Sequence, residues 1–356
     1  MQKLGLLTKM IEKKQPLLSI SIPTFERSSY LKTCLYSLKS SERFVASGDL
    51  EILIFDNASS DNTQQVVADA NADSQKFQYF RHENNIGSDL NFATCYNSAK
   101  GKFVLVLGDD DIITLGTISK LLEAIRENED IGLIYLRPYA FKDDAEKEKP
   151  WGGRKENRTY SNVDFLKKYI SRLTFVSSLV LNKKYLKVDA KEFSGGNLVQ
   201  VHLALSALTE SEVSVVLAGF SVAAIRSSSP DFDYTAIFVN GLNSILDQHF
   251  GQMRDLLPII KRRSFLRTVP QLALRQRLVE KNKLHSVAES LEKSDVKSWD
   301  KYLYFPLIVR PILIAPYYFA VIYGALSVAF IRLFEGGIML GLKEFRVRFL
   351  RLLVTP

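Results

Sequence analysis

Short apolar runs alternate with amphipathic stretches over the first part of the chain, and this pattern predicts a layered α/β fold. The apolar runs predict five strands, at Leu17–Ile22, Leu50–Phe55, Phe77–Arg81, Phe103–Leu107 and Ile131–Leu136. Between them, apolar residues recur three and four positions apart, as at Leu31, Cys34 and Leu38, and this spacing predicts helices with one buried face. The alternation is typical of a parallel sheet covered by helices.

The pattern is looser after residue 136. A polar stretch, Lys142–Thr159, predicts a long surface loop of the kind that serves as a lid. Further elements are predicted as a helix at Val163–Ile170, a strand at Ser178–Leu181 and a helix from Asn197. Two short apolar runs, Val213–Leu217 and Phe220–Ile225, predict a hairpin that turns at Ala218–Gly219.

Composition narrows the class of protein. The 356 residues are 46% hydrophobic and 24% charged, which excludes a disordered chain and suffices for one large core or two modest ones. The chain has two cysteines, Cys34 and Cys95, which argues against a disulfide scaffold and against a cysteine-based zinc site. The N-terminus lacks a sustained apolar segment followed by a cleavage site, so we expect no secretory signal.

Charge is distributed unevenly along the chain. Residues 251–356 hold 18 Lys and Arg against 8 Asp and Glu, a net charge of +10, whereas the remainder carries −2. This pattern predicts a domain tethered to an anionic surface, with a membrane favoured over nucleic acid. We expect an α/β domain at 1–235, a basic helical region at 236–300 and a membrane-associating tail at 301–356.

The tail contains an uncharged stretch of 21 residues, Pro311–Ile331. It is long enough for a bilayer core of about 30 Å. Its prolines and the basic residues on both sides favour a segment that enters and returns, or lies in the interface, over a single crossing. Residues Leu342–Leu353 alternate basic and apolar side chains, as an interfacial helix on anionic lipid does. The alternative is a buried core helix beside a solvated basic face.

The segment that carries most chemical information is Phe103–Asp111, an apolar strand followed by a glycine and three carboxylates. Proteins with α/β folds place their ligands at the carboxyl ends of strands. Three adjacent carboxylates call for a cation, and hard oxygen donors select Mg²⁺ or Mn²⁺, which in turn holds a diphosphate. The alternative is a turn or a helix cap, which acidic residues at strand ends often form.

Three further segments place polar residues at predicted strand ends. Asp56 ends one strand, where a carboxylate suits a base or a ribose, although an Asx turn is the alternative. Pro23 and Thr24 end another strand. Gly87 lies in a turn before a predicted helix, whose N-terminus suits an anion.

Taken in their order along the chain, these four segments resemble glycosyltransferase family 2, of the bacterial surface-polysaccharide type. The matching residues are Ile20–Arg27 (ISIPTFER), Ile54–Thr63 (IFDNASSDNT), Asn84–Gly87 with Asn91, and Leu107–Asp111 (LGDDD). The resemblance covers residues 17–230 and implies the α/β GT-A fold, a Rossmann-like mixed sheet flanked by helices, here followed by a helical, membrane-associated C-terminal region. It also implies an inverting, metal-dependent transfer of a sugar from a nucleotide diphosphate sugar.

The resemblance further implies the residues of the site. The nucleotide-sugar pocket would be lined by Pro23, Thr24, Glu26, Asp56, Asn85, Gly87, Asp109 and Asp110. Asp56 would bind the base. Asp109 and Asp111 would hold Mn²⁺ or Mg²⁺, which stabilises the leaving diphosphate, and Asp111 is therefore expected among the catalytic residues.

The chain departs from the family at the catalytic base, which is usually a carboxylate from an acidic pair on a later helix. The matching stretch, Phe193–Leu205, has no acidic residue, and His202 is its only titratable group. His202 lies off the apolar stripe of its predicted helix, which makes it the candidate that takes a proton from an acceptor hydroxyl. The alternative is a histidine that only fills the helix surface.

Together these predictions describe a glycosyltransferase at the cytoplasmic face of the inner (plasma) membrane. The expected acceptor is a saccharide, lipid-linked through a polyprenyl group, in cell-surface polysaccharide biosynthesis. Two alternatives stay open: direct transfer to a polyprenyl phosphate, and a catalytically silent nucleotide-binding scaffold at the membrane. We expect no nucleic acid partner, because the acidic front part lacks a basic and aromatic platform.

Overall fold

The structure is a computed structural model that describes residues 15–41, 48–72, 76–225, 236–279 and 305–336. The strands are β1 (Leu18–Thr24), β2 (Leu50–Asp56), β3 (Phe77–Arg81), β4 (Phe103–Val106), β5 (Asp111–Ile113), β6 (Leu133–Tyr135), β7 (Pro138–Phe141), β8 (Arg158–Ser161), β9 (Leu179–Asn182), β10 (Val213–Val216) and β11 (Val222–Ile225). The helices are α1 (Ser28–Ser41), α2 (Thr63–Asn71), α3 (Ser88–Ser98), α4 (Thr117–Glu127), α5 (Asn162–Tyr169), α6 (Val199–Glu210), α7 (Leu242–Phe250), α8 (Leu256–Val279), α9 (Arg310–Ile314) and α10 (Tyr317–Gly336).

The described residues divide into two compact units. One contains residues 15–163 and 175–225, and the other contains 164–174, 236–279 and 305–336. The predicted boundaries at 235/236 and 300/301 lie outside the described residues, as does the predicted interfacial helix at Leu342–Leu353. Those three expectations stay predictions.

The first unit is built on an eight-stranded sheet in the order β3-β2-β1-β4-β9-β6-β10-β8. β3, β2, β1 and β4 are mutually parallel, whereas β9 runs antiparallel between β4 and β6, and β8 runs antiparallel to β10. The sheet is therefore mixed, as the resemblance implied. The apolar pattern up to residue 136 predicted parallel strands, and this is confirmed for all five of them, because β9 is antiparallel to both β4 and β6 and β6 therefore runs in the same direction as β4. The antiparallel strands β8 and β9 come later in the chain.

Hydrophobic periodicity located the first elements well. The five predicted strands correspond to β1, β2, β3, β4 and β6, with ends shifted by two residues at most. Ile20, Ile22 and Ile54 of the central strands are fully buried, and α1 covers them with the predicted stripe that includes Leu31 and Leu38. Burial of this apolar area is the main favourable contribution to folding of the unit.

The predicted hairpin at residues 213–225 is wrong. β10 lies between β6 and β8 of the main sheet, whereas β11 lies between β5 and β7 in a separate three-stranded sheet. Each strand thus has both edges occupied by other partners, and the chain crosses from one sheet to the other through Gly219, whose φ is 81°. The two-residue connection between the apolar runs suggested that they pair with each other, but each pairs with strands from other parts of the chain.

The second unit contains the uncharged stretch, and Pro316 divides it into α9 and α10. Because proline has no N–H, the carbonyl of Ile312 four residues earlier lacks its helical donor. The guanidinium of Arg277 on α8 donates to that carbonyl over 3.0 Å and also to the carbonyl of Ala315. A buried cation therefore closes the break in the helix.

α10 has two different faces. Its inner face joins α8 and α9 in a buried apolar cluster that includes Val321, Ala325 and Val328. Its outer face exposes large apolar side chains at Tyr318, Phe319, Ile322, Leu326 and Phe330. No helix in the described part of the chain combines the length and the hydropathy that a membrane crossing requires.

Candidate functional site

Strand order places a topological switch point at the carboxyl ends of the central strands β1 and β4, and we call this side of the main sheet its carboxyl edge. The chain runs from β1 outward to β2 and β3, and then crosses to β4 on the opposite side of β1. The loops that follow β1 and β4 meet there, and α/β proteins bind ligands at such a switch point. Thr24 is level with Asp56 in the β1–β2 pairing, and Asp56 is level with Arg81 in the β2–β3 pairing.

The three carboxylates after β4 are brought to this edge and are held by the end of β1. Thr24 donates its hydroxyl to Oδ2 of Asp109 over 2.8 Å. The guanidinium of Arg27 lies 3.2 Å from Oδ1 of Asp109 and 2.7 Å from Oδ2 of Asp110. The predicted proximity of Thr24 and the acidic segment is thus present, and Arg27 joins them as a cation.

Burial gives this cluster an unusual protonation balance. Burial raises the pKa of Asp109 to about 7, against the lowering effect of Arg27 and Thr24. Burial and the neighbouring Asp110 raise the pKa of Asp111 to about 8. Three carboxylates share one guanidinium, so ionising all of them leaves excess negative charge in a desolvated place.

These carboxylates suit a divalent cation that takes only some of its ligands from the protein. Carboxylate oxygens are hard ligands, and Asp109 and Asp111 are both buried at the sheet edge. Within the described ranges, no three His, Cys, Asp or Glu side chains are arranged to hold a metal by themselves. Mg²⁺ is usually bound through one or two carboxylates plus substrate phosphates, so the arrangement suits a metal that arrives with a diphosphate.

Asp56 is buried at the end of β2 and is held from several directions. Its Oδ1 accepts the backbone N–H of Ser59 over 2.9 Å, which is the predicted Asx turn. Its Oδ2 accepts the hydroxyl of Tyr79 over 2.5 Å and lies 3.6 Å from Nε of Arg81. A carboxylate has about four lone-pair sites, so these contacts orient Asp56 and leave it capacity for a ligand.

Glu26 and Asn85 stabilise the loops around the site. Glu26, with a φ of 53°, accepts hydrogen bonds from the backbone N–H and the hydroxyl of Ser60 over 2.7 and 2.8 Å. Oδ1 of Asn85 accepts from Nδ2 of Asn57 over 2.8 Å and from the N–H of Gly87 over 2.9 Å. Pro23 lies in β1 directly before Thr24. Nucleotide contacts by these residues stay predictions.

The candidate base lies on α6. His202 is half-buried, and its ring stacks on Phe193 with a centroid distance of 4.5 Å and an interplanar angle of 5°. Stacking uses the face of an imidazole, whereas proton transfer uses a nitrogen at its edge, so the two are compatible. Its role as a base stays a prediction.

Sequence reasoning missed four residues of this network, namely Arg27, Tyr79, Arg81 and Ser177. Ser177 donates its hydroxyl to Oδ2 of Asp111 over 2.5 Å. Arg27 and Arg81 carried a signal, because Arg27 follows Glu26 within the matching motif and Arg81 is the last residue of a predicted strand. Ser177 carried none, since it lies far along the chain from Asp111.

The profile of the family described as Glycosyl transferase family 2 matches residues 19–188, which include every carboxylate of the site. Residues 19–188, slightly less than half of the chain, are similar to this family and are called the family 2 segment below. The family 2 segment begins in β1 and ends after β9, so it covers the parallel half of the sheet and the switch point.

Two curated relatives are similar to this family 2 segment. One is GalNAc(5)-diNAcBac-PP-undecaprenol beta-1,3-glucosyltransferase of Campylobacter jejuni, 30% identical over 48% of this chain and 55% of the relative. Another is abequosyltransferase RfbV of Salmonella typhimurium, 34% identical over 33% of this chain and 35% of the relative. The chain thus spans about half of the first relative and about a third of the second.

Solved structures agree on the fold. TarS 1-349 of S. aureus superposes with a TM-score of 0.58 at 15% identity, over 88% of this chain and 91% of that one. Its complex with UDP-GlcNAc gives a TM-score of 0.52 at 15% identity, over 93% of this chain and 90% of that one. The GT-A fold implied by the resemblance is confirmed.

Proposed function

We propose that the protein is an inverting glycosyltransferase that moves a sugar from a nucleotide diphosphate sugar to a saccharide acceptor. The observation that carries this proposal is the meeting of Thr24, Asp56 and the Asp109–Asp111 segment at the switch point of the sheet. Support comes from the family 2 match over the same residues and from the two relatives, both of which are named as glycosyltransferases.

The proposed role of each carboxylate follows from its position at the switch point of the sheet. Asp56, oriented by Ser59 and Tyr79, accepts an N–H from the base of the nucleotide. Asp109 accepts ribose hydroxyls and, with Asp111, ligates Mn²⁺ or Mg²⁺. The bound cation supplies charge stabilisation for the leaving diphosphate.

The reaction is a displacement at the anomeric carbon. The acceptor oxygen forms a bond to that carbon as the bond from the carbon to the diphosphate oxygen breaks, with inversion. The acceptor hydroxyl loses its proton to His202, whose half-buried position on α6 is compatible with this role. The diphosphate leaves with the negative charge.

We further propose that the acceptor saccharide is carried on a polyprenyl diphosphate at the cytoplasmic face of the plasma membrane. The name of the Campylobacter relative specifies a PP-undecaprenol acceptor. The exposed outer face of α10 presents Tyr318, Ile322, Leu326 and Phe330 at a spacing of four residues. From Phe305 to Phe334 the sequence has no acidic residue, so this face suits an anionic lipid surface.

The donor site is tested by thermal-shift measurements with UDP, GDP and CDP and their sugars, with Mn²⁺, with Mg²⁺ and with chelator. We expect one nucleotide to raise the melting temperature by about 5 °C at 100 times its Kd, only with metal. Asp111→Asn removes this rise. Asp130→Asn, an exposed aspartate paired with Lys184, serves as the matched control and keeps it.

Each outcome separates the alternatives. Absence of any nucleotide-dependent shift would contradict the donor site. A metal-dependent shift without turnover on any polyprenyl-linked saccharide supports the silent scaffold. Turnover on polyprenyl phosphate itself supports direct transfer to that lipid.

The membrane proposal is tested by co-sedimentation with vesicles of phosphatidylglycerol and phosphatidylcholine. We expect binding to the anionic vesicles that falls at least five-fold in the double variant Ile322→Asn, Leu326→Asn. Leu115→Asn, which changes an exposed leucine in the other unit, keeps full binding. Equal partitioning of all three proteins would remove α10 from the proposal.

A further inference from the structure

The acidic segment after β4 is held by a residue from a distant part of the chain. Ser177 lies in a short helical turn, Val176–Ser178, directly before β9. Because β9 pairs with β4, this turn lies beside the end of β4 and reaches the loop that follows it. Ser177 is fully buried there, with 0% of its surface exposed.

The hydrogen bonds of Ser177 have a fixed direction. Its Oγ accepts the backbone N–H of Gly108 over 2.9 Å and donates to Oδ2 of Asp111 over 2.5 Å. A backbone N–H can only donate, and an ionised carboxylate, which is the form that ligates a metal, can only accept, so the proton on Ser177 points to Asp111 in that form. The chain Gly108 to Ser177 to Asp111 therefore has one polarity.

Close packing leaves little freedom around this relay. A Cβ added at Gly108 would lie 3.0 Å from Oδ2 of Asp111, 3.1 Å from Oδ1 of Asp110 and 3.4 Å from Oγ of Ser177. The absent side chain at Gly108 is what permits Asp111 and Ser177 to approach its backbone.

We propose that Ser177 is a positioning residue for the metal ligand Asp111. With Oδ2 bound to Ser177, the carboxylate plane is fixed, and its remaining lone pairs are presented to the cation without a conformational search. This inference rests on the proposed function, because it assigns the group that orients one of its metal ligands. Partners that orient metal ligands typically contribute 10- to 100-fold to metal affinity.

The chain provides a matched control in the next residue. Ser178 is also fully buried, and its Oγ makes no hydrogen bond to any residue that the structure describes. Serine-to-alanine changes at 177 and 178 remove the same atom from the same turn. Only the change at Ser177 breaks a hydrogen bond to Asp111.

The experiment measures Mn²⁺ binding by the electron paramagnetic resonance signal of free Mn²⁺, for the full chain with Mn²⁺ alone and with UDP, GDP or CDP. We expect Ser177→Ala to raise the Mn²⁺ dissociation constant about 10-fold. Ser178→Ala stays within about two-fold of the wild type, because no hydrogen bond is lost. In turnover, Ser177→Ala raises the Mn²⁺ concentration for half-maximal rate, and saturating Mn²⁺ restores most of kcat.

A purely structural role gives a different result. It would lower the melting temperature in chelator without a selective change in Mn²⁺ affinity. Ser177→Cys keeps a donor at this position, although a thiol is a weaker donor and a larger group than a hydroxyl. We expect it to give an intermediate Mn²⁺ affinity if the hydrogen bond is what matters, and it serves as the second variant if Ser177→Ala folds poorly.

Two outcomes overturn the inference and are distinguishable. Equal Mn²⁺ affinity in Ser177→Ala and wild type would remove Ser177 from the metal site while the proposed function stands. Absence of Mn²⁺ binding by the wild type, with and without nucleotide, would overturn the metal site itself and, with it, the role of Ser177.

Discussion

Tyr79 on β3 donates its hydroxyl to Oδ2 of Asp56 at the end of β2, over 2.5 Å. This hydrogen bond joins two neighbouring parallel strands and holds the last residue of β2. Burial and this hydrogen bond both raise the pKa of Tyr79 well above its ordinary value, so the hydroxyl stays protonated and remains a donor. Contacts within the protein therefore orient the Asp56 carboxylate.

We expect Tyr79→Phe to weaken nucleotide binding about 10-fold, because the lost hydrogen bond orients the Asp56 carboxylate. A hydrogen bond to a charged group contributes about 1.5–3 kcal/mol, and we expect part of this free energy to be lost from nucleotide binding. Isothermal titration with the nucleotide selected by thermal shift measures the effect. Tyr185→Phe removes a hydroxyl bonded to the Asp130 carbonyl, away from the cluster, and is the control. Equal loss in both variants would mean that Tyr79 acts on stability alone.

The acidic cluster predicts a pH dependence of stability without metal. The pKa of Asp109 is raised to about 7 and that of Asp111 to about 8, so the folded chain keeps protons that the unfolded chain releases near pH 4. The unfolded state then binds fewer protons, and stability in chelator falls as pH rises from about 4 to about 8 before it levels off. Melting curves at several pH values in chelator measure this fall.

The affinity for Mn²⁺ is expected to depend on pH in the opposite direction to the stability in chelator. Mn²⁺ must displace the protons on Asp109 and Asp111 below their pKa values of about 7 and 8, so its affinity rises with pH up to about 8. Titrations with Mn²⁺ at pH 6, 7 and 8 test this, and proton release measured in two buffers of different ionisation enthalpy checks the cause. A flat Mn²⁺ affinity over that range would contradict the protonation balance of the cluster.

Arg27 is expected to compete with the metal for the carboxylates. Arg27→Gln removes the cation that lies within ion-pair distance of Asp109 and Asp110, so Mn²⁺ binds about 3- to 10-fold more tightly, a modest gain because solvent screens the half-exposed guanidinium. Arg126→Gln, which breaks an ion pair of similar geometry to the buried Asp49, leaves Mn²⁺ affinity unchanged. Weaker Mn²⁺ binding in Arg27→Gln would show that Arg27 supports the metal.

His202→Gln is expected to lower kcat about 100-fold while donor binding stays the same, because a positioned base contributes about 10²–10⁴ to rate and none to nucleotide affinity. Turnover and the nucleotide-dependent thermal shift are measured on the same preparation. Unchanged turnover would exclude His202 as the base and leave it as the ring that stacks on Phe193.

The parts of the fold predicted from the sequence are those that local periodicity determines. The strand β3 was predicted with its observed ends, Phe77 and Arg81, because a short segment rich in aromatic residues (FQYFR) lies between two polar segments. The three-residue strand β5 and the four-residue strand β7 were missed, since such short strands show no alternation. β11, which pairs with both, was predicted as a strand but given the wrong partner.

The same limit applies to the site. Asp56 and the Asp109–Asp111 segment were recognisable because a carboxylate directly after a buried strand is a local feature. Ser177 and Tyr79 were not, because their roles come from strand order, which brings distant residues to one edge. The uncharged stretch at Pro311–Ile331 shows the opposite effect. It is continuous in sequence, but the structure divides it at Pro316 into two separate helices.

The position of β9 between β4 and β6 has a consequence for synthesis of the protein. Strands β1 to β4 are all translated by residue 106, so the parallel half-sheet can assemble early on the ribosome. Its β4 edge then waits for β9, which begins at residue 179. At about 5–20 residues per second, about 70 residues take roughly 4–14 s. During that interval the nascent chain exposes an unpaired parallel edge, and this edge is where we expect it to need a chaperone.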